Sequence, residues 1–361
     1  MTILLFSAHV GVPLVYYWYL KARCFNRPWN IRIDESYRPN VTIITPTYNE
    51  DKFIQKRLDN ICEQRYPREL VEIFIVDSAS TDRTLEVVKD WFVKHPETRL
   101  KVIREPARTG KMHAISEPLK YASGPIIIVG DADSLWDRNA IKEAVKYFAD
   151  SSVGALTASL GYYAGKQMDV ENTYRRFYNV LRAAESKIHS TPLHSGVLQA
   201  IRKEFLEKFG LPSYPGSEDC AIASYIAFVG YRAIQADDVW AYEPLRGSYL
   251  RTKVRRAQHN ILNFLLTKKY AKKHARYVKS KFDLIWRVEW YLYIINPWLL
   301  VVCLGLMLYS LIALHNATAL LLLAIGGVIF AANRTFRGWT FQQIFLVIAV
   351  IRNFRTKETI W

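Results

Sequence analysis

"IIIVGDADSLWD" (residues 126–137) runs three isoleucines and a valine into Gly130 and then into two aspartates, Asp131 and Asp133, separated by one alanine. Four branched apolar residues in a row make a short buried strand. Two carboxylates one residue apart at its end repel each other unless a cation sits between them and something anionic. A divalent metal bridging the pair to a diphosphate meets that need. Magnesium and manganese take oxygen ligands and keep phosphate oxygens in their shell, so either fits. The competing reading makes Asp133 the cap of a helix expected over "SLWDRNAIKEAVKYF" (134–148) and Asp131 a plain strand-end charge.

Working outward, "VTIIT" (41–45), "VEIFIVD" (71–77) and "LKVIRE" (100–105) repeat the strand pattern, and "PIIIVGD" (125–131) contains the opening stretch. They alternate with amphipathic segments such as "DKFIQKRLDNICEQ" and "TLEVVKDWFVKH". Strands alternating with helices predict an α/β fold whose mostly parallel sheet is covered on both faces. Ligands of such sheets bind beyond the carboxyl ends of the strands. Three of the runs end there in polar turns: "PTYNE", "DSASTD" and "GDADS".

The 361 residues carry a net charge of +16 and are 50% hydrophobic, more apolar material than one core requires. The four cysteines are far apart, so neither a zinc site nor a disulfide framework is expected. Residues 1–23, ending "YYWYL" before Lys21 and Arg23, read as an uncleaved transmembrane anchor. "WYLYIINPWLLVVCLGLMLYSLIAL" (290–314) and "ATALLLLAIGGVIFAA" (317–332) read as a hairpin of two further spans. "WTFQQIFLVIAVI" (339–351) is short and flanked by arginines, which suits an interfacial or re-entrant helix. The basic segments bordering these runs fall on one side, which the positive-inside rule makes the cytoplasm. The expected organisation is an anchor (1–23), a cytoplasmic catalytic domain (39–265), and a basic juxtamembrane segment with hairpin and terminal helix (266–361).

"PTYNE" (46–50), "VDSASTD" (76–82), "RTGKMHAI" (108–115), "GDADS" (130–134), "SGVLQAIR" (195–202) and "SEDCAIA" (217–223) stand in an order that resembles the family 2 inverting glycosyltransferases, which share the GT-A (Rossmann-like) fold. The resemblance extends over about residues 39–265. It implies a nucleotide-sugar site at Pro46, Tyr48, Glu50, Asp77 and Lys111, and a metal on Asp131 and Asp133. It also implies an acceptor-side loop with Ser195, Gly196 and Arg202, and a general base at Asp219 supported by Glu218. The residues make sense on their own terms. Asp77 can accept hydrogen bonds from a nucleobase or ribose, or close an Asx-turn. Tyr48 can lean on a base, and Glu50 can bond the nucleoside or cap the next helix. Lys111 supplies a cation beside flexible glycine backbone, where a pyrophosphate needs neutralising, or is a solvated lysine. Glu218 and Asp219 open an apolar helix, so they serve as caps or as catalytic acids.

The chain departs from polysaccharide synthases of that family at Thr252–Arg256. Those relatives carry Gln-x-x-Arg-Trp; here only Arg255 matches, and Arg256 stands where a tryptophan would hold the growing sugar. Arg255 is expected at the nucleotide sugar, and Arg256, with forked donors, at an acceptor phosphate. Val170, Tyr174, Phe177, Tyr178 and Leu181 form a helical stripe suited to a membrane interface or to packing on the sheet. His189 and His194 read as ordinary loop residues.

The expectation is therefore a metal-dependent, inverting glycosyltransferase embedded in the membrane. It moves a sugar from a UDP- or GDP-sugar to a lipid-linked acceptor of the polyprenyl phosphate type at the cytoplasmic face, one sugar at a time, in contact with membrane lipids. A processive synthase of the hyaluronan or cellulose type is the enzymatic alternative. A basic membrane scaffold or nucleic-acid-binding protein is the other, though it leaves the ordered acids without purpose, and no nucleic acid is expected.

Overall fold

The structure, a computed structural model, describes residues 2–161, 169–244 and 249–354. Eight strands form one sheet: β1 (Val41–Thr47), β2 (Val71–Asp77), β3 (Leu100–Arg104), β4 (Ile126–Val129), β5 (Leu135–Trp136), β6 (Val153–Gly161), β7 (Gln199–Arg202) and β8 (Arg232–Tyr242). Their spatial order is β3-β2-β1-β4-β7-β6-β8-β5. The first four pair in parallel, β7 runs antiparallel to β4 and β6, and β6 and β8 are parallel again. Chain order reverses between β1 and β4, the place where a crevice opens beyond the strand ends of such a sheet.

Between the strands lie α2 (Ile54–Cys62), α3 (Thr84–Lys94), α4 (Lys111–Leu119), α5 (Ala140–Val145), α6 (Asp169–Ile188), α7 (Lys203–Phe209) and α8 (Glu218–Phe228), with α1 (Thr2–Arg23) ahead of them. After β8 come α9 (Tyr249–His274), α10 (Phe282–Trp290), α11 (Asn296–Ile312), α12 (Ala317–Ala332) and α13 (Arg334–Asn353). Alternate residues of the central strands feed opposite faces. Ile43, Ile75 and Ile128 pack with Leu58 and Trp91, and Ile44, Phe74 and Ile127 pack with Ile115, Ile222 and Phe228. Two buried faces are the reason these strands are apolar throughout instead of alternating.

The helix expected from residue 134 is not formed. Leu135 and Trp136 are β5, paired with β8, and α5 starts only at Ala140 after Asn139. The buried Trp136 indole donates to the Val197 carbonyl at 2.7 Å and carries the Arg57 guanidinium 3.7 Å from its ring centre, contacts that hold this segment extended. Asp133 is therefore no helix cap.

Among the described residues, one helix, Phe282–Ile312, is long and apolar enough to cross a membrane; it joins α10 and α11 through a π-helical turn. The 317–332 segment is a 16-residue helix that passes the same test only together with α13, from which it is bent by 109°. The bend lies at Asn333, which ends α12 in extended backbone and caps α13, its Oδ1 accepting the Phe336 N–H at 3.0 Å. The expected hairpin is thus one span and a bent pair. α1 is not among the helices that pass; its His9 imidazole bonds Asn296 of α11 at 3.1 Å, and its far end packs Leu20 and Cys24 on Leu181 and Ala184 of α6. α13 buries Phe345, Leu346 and Ala349 against Val254, Ala257 and Ile261 of α9. In the α6 stripe, Phe177 stacks on Tyr17 of α1 at 4.1 Å, so this part of it packs on protein, while the side chains of Val170 and Tyr174 lie outside the described residues. α9 runs unbroken past residue 265, so that boundary falls inside a helix.

Candidate active site

β1 and β2 end level, with Thr47 opposite Asp77, so "PTYNE" and "DSASTD" leave the sheet side by side. They are stitched together: the Asn49 N–H donates to Ser80 Oγ at 2.9 Å, the Thr81 N–H to Asn49 Oδ1 at 2.8 Å, and the Glu50 N–H to Thr84 Oγ1 at 2.8 Å. Asn49 and Ala79 both have positive φ, 57° and 59°. For alanine this left-handed conformation costs about 1 kcal/mol, and the cross-loop bonds hold it.

Over these ends lies a cavity of about 520 Å³ that brings together Pro46, Tyr48, Glu50, Lys111, Asp131, Asp133, Ser195, Gly196, Glu218, Asp219, Arg255 and Arg256. The expected cluster therefore exists in space, gathered from four strand ends and two helices.

At its centre is Lys111, the first residue of α4. Its ammonium lies 2.6 Å from Asp131 Oδ1 and 2.6 Å from Glu218 Oε1, with only 7% of the side chain exposed. Burial works against that charge, but Asp131, Glu218 and Asp219 outweigh it and hold the lysine firmly protonated. Gly196 makes the approach possible. A Cβ built there would stand 2.6 Å from Lys111 Nζ and 3.5 Å from the Asp131 carboxylate oxygens. Its carbonyl accepts the Asp131 N–H at 3.2 Å, which fixes the loop between β4 and β5.

Glu218 and Asp219, adjacent at the start of α8, are driven in opposite directions. Burial raises the Glu218 carboxyl, but the Lys111 contact overrides it and the pKa is lowered. Asp219 is raised, first by burial and then by the Glu218 charge, while Lys111 opposes the shift. Its Oδ1 accepts from the Ser217 hydroxyl and, at 2.8 Å, from the Cys220 N–H. A buried carboxylate of raised basicity beside a fixed ion pair is equipped to accept a proton.

Asp77 does not line the cavity. Its Oδ2 closes a turn by accepting the Ser80 N–H at 3.2 Å, whereas its fully buried Oδ1 has no hydrogen-bond partner. An orphaned acceptor of this kind fits a donor-bearing base edge.

Arg202 is misplaced by the sequence reading. Its guanidinium donates to the carbonyls of Val153 at 3.1 Å and of Phe148 and Asp150 at 2.8 Å, outside the cavity, and is a structural tie. Arg256 lines the cavity but is bound by Glu243, which also holds Arg175 at 3.2 Å. Although burial alone would raise the Glu243 pKa, the two guanidinium charges hold it at about 2. His194 is buried at the cavity wall, not on an ordinary loop surface, and its pKa is pushed down to about 3 by burial and by the neighbouring Arg182 charge.

Several cavity residues were not singled out beforehand: Arg108, stacked 4.1 Å over Tyr48, Glu243, Arg175 and Arg182. Arg108 stands in the quoted "RTGK" stretch, and Glu243 follows a strand as Asp131 does, which is a usable signal. The α6 arginines carry none, because their face is set by packing.

Among the described residues no group of three or more His, Cys, Asp or Glu is placed to hold a metal on its own. Asp131 and Asp133 offer a sparse, all-oxygen donor set. That suits magnesium or manganese, whose shell is completed by water and diphosphate oxygens, and it is unsuited to zinc.

Residues 42–210 match the family described as Glycosyl transferase family 2. A mannosyltransferase from Pyrobaculum calidifontis, solved in complex with GDP-Man and Mn2+, is 40% identical and superposes with a TM-score of 0.87 over 99% of both chains. A dolichyl N-acetyl-alpha-D-glucosaminyl phosphate 3-beta-D-2,3-diacetamido-2,3-dideoxy-beta-D-glucuronosyltransferase from Methanococcus voltae is 35% identical over 108 residues, 30% of this chain and 33% of its own. The hyaluronan synthase of Streptococcus pyogenes is 27% identical over 215 residues, 54% of this chain and 50% of its own. The chain thus spans a third to a half of the length of these two curated relatives. With the motif order, the sheet and the full-length likeness in agreement, this chain belongs to the family 2 glycosyltransferases of GT-A fold and is a nucleotide-sugar glycosyltransferase.

Proposed function

We propose that the chain transfers mannose from GDP-mannose, with inversion, to a hydroxyl of a lipid-linked acceptor at a membrane face, one sugar per acceptor. The observation that carries the donor assignment is the 40% identity over 99% of both chains with a mannosyltransferase that holds GDP-Man and Mn2+. Asp77 would meet the guanine edge, Tyr48 and Glu50 the nucleoside, and Asp131 and Asp133 the metal. When bound, the metal would neutralise the diphosphate and ease its departure. The acceptor oxygen forms a bond to the anomeric carbon as the bond to the β-phosphate oxygen breaks and GDP leaves; Asp219 takes the acceptor proton. A base is needed only where the nucleophile carries a proton, so the raised Asp219 favours a sugar hydroxyl over a bare phosphate as the attacking group.

Membrane attachment is supported by the Phe282–Ile312 helix, with residues 1–23 as a second anchor and the catalytic domain cytoplasmic. Single transfer is supported by Arg256, which offers no flat apolar face for a sugar terminus and is tied to Glu243. The test is a panel of radiolabelled nucleotide sugars given to membranes carrying the full chain, followed by lipid extraction and mass spectrometry. Label from GDP-mannose in a lipid extended by one hexose is the expected result. Label from UDP-sugars only, or a ladder of sugars on one acceptor, would overturn the donor or the single-transfer reading respectively.

A further inference from the structure

The cavity holds cations of two kinds. Lys111 is balanced by Asp131 and Glu218, and Arg175 and Arg256 by Glu243. Arg182, on α6, lines the same cavity, yet its guanidinium has no ion pair or hydrogen bond among the described residues, and its buried Nε has no partner. What it does have is the face of Tyr178, 5.4 Å away. The acids beneath it are committed elsewhere: Glu185 accepts from the Tyr16 hydroxyl at 2.6 Å and from Thr191 Oγ1 at 2.7 Å, and neither Glu185 nor Glu289 comes within ion-pair distance of Arg182 among the described residues. His194 beside it is neutral. A half-buried guanidinium without a counter-ion in a binding cavity is costly unless an anion arrives with the ligand.

Next to Arg182 the cavity meets a second, smaller one of about 30 Å³, walled by Pro13 of α1, Phe177 and Leu181 of α6, Leu292 of the π-helical turn and Trp339 of α13. The two share Tyr178, Tyr293, Gln342 and Leu346. The anion site therefore adjoins an apolar cleft between the helices that carry the membrane-facing surface.

Building on the lipid-linked acceptor argued above, we propose that Arg182 binds the phosphate of that acceptor, with the adjoining lipid carbons in the cleft walled by Pro13, Leu181 and Trp339, and that Arg256 does not bind it. The guanidinium fork suits phosphate oxygens, and the cleft excludes water from one side of the contact. The phosphate then lies on the α6 side of the cavity, leaving Asp219 free for the reacting hydroxyl.

The test is calorimetric binding of farnesyl phosphate, farnesol and inorganic phosphate to the full chain in detergent, without donor, so that it does not depend on turnover. The native chain is expected to bind farnesyl phosphate at least tenfold tighter than farnesol or inorganic phosphate. Arg182→Met is expected to abolish the advantage over farnesol, and Arg256→Met to keep it. GDP affinity reports whether each variant is folded. Should Arg182→Met lose GDP binding, Arg182→Lys decides, because a point charge in place of the fork must weaken farnesyl phosphate severalfold and leave farnesol unchanged. Equal binding of phosphate and alcohol by the native chain, discrimination retained without Arg182 or unchanged in the lysine variant, or loss of discrimination on changing Arg256 would each overturn the assignment. Inorganic phosphate binding as tightly as the lipid phosphate would overturn the lipid part of it. Failure of the transfer reading shows separately, as the absence of labelled lipid from a chain that still discriminates.

Discussion

Replacing Gly196 by alanine adds a single methyl group, and the geometry fixes where it goes. Its Cβ would stand 2.6 Å from Lys111 Nζ, so the ammonium must retreat by about 1 Å to reach ordinary contact distance. Because that atom is the tip of a flexible side chain, the fold should survive. The retreat stretches two contacts that are both 2.6 Å long, to Asp131 and to Glu218. A charge-assisted hydrogen bond is worth about 1.5–3 kcal/mol, so losing one lowers kcat/KM by about tenfold to a hundredfold. A second readout checks the cause. Asp219 has a raised pKa and works deprotonated, so the acid limb of the rate profile lies above the ordinary aspartate range. Lys111 opposes that rise; withdrawing it must move the limb to still higher pH. Steady-state kinetics of GDP release against pH, with thermal unfolding as the fold control, is the assay. Native kcat/KM with an unmoved limb would show that Lys111 is not the group that sets this site's charge.

Asp219→Asn should reduce kcat by about a hundredfold or more while donor KM stays near the native value, the signature of a lost base; a collapse of donor affinity instead would place Asp219 in the nucleotide site. Asp133→Asn should remove most metal-dependent turnover and leave the unfolding temperature close to native, and full activity at saturating manganese would argue against the metal assignment. Glu243→Gln should remove a stabilisation that exists above the ordinary glutamate pKa and is lost as pH falls toward about 2, the direction set by its lowered pKa. Half the Arg256 side chain is exposed, so screening limits the effect to about 2 kcal/mol, read as acid unfolding that becomes less steep below pH ~4.

The parallel half of the sheet was legible because its strands are buried on both faces and end in polar turns. β2 spans the same seven residues, 71–77, in the sequence reading and in the structure. Asp131, Lys111, Gly196 and Asp219 converge because each follows or precedes a regular element. Other features were settled by contacts distant in sequence. Trp136 is extended, where its local pattern reads as helical, because Val197 and Arg57 claim its indole. Arg202 stands in the same motif as Gly196, but six residues of mostly extended chain carry it roughly 20 Å along, to the other end of β7. The Glu243 partner of Arg256 lies 13 residues upstream on another element, beyond any local reading.

The positions of the charges divide the work of the site between two kinds of scaffold. Donor-side groups, from Glu50 and Asp77 to Asp131 and Asp133, sit on or just beyond parallel strands whose ends are locked in register. Arg182, Arg255 and Arg256 sit instead on α6 and α9, and α13 packs on α9 and borders the cavity beside α6. The apolar terminal segment is therefore coupled to the acceptor-side helices and leaves the donor-side strand ends untouched. Substitutions at the strand ends should change which nucleotide sugar is used. Changes along α6, α9 and α13 should change which acceptor is reached, with Lys111 and the Glu218–Asp219 step at the seam where the two halves meet.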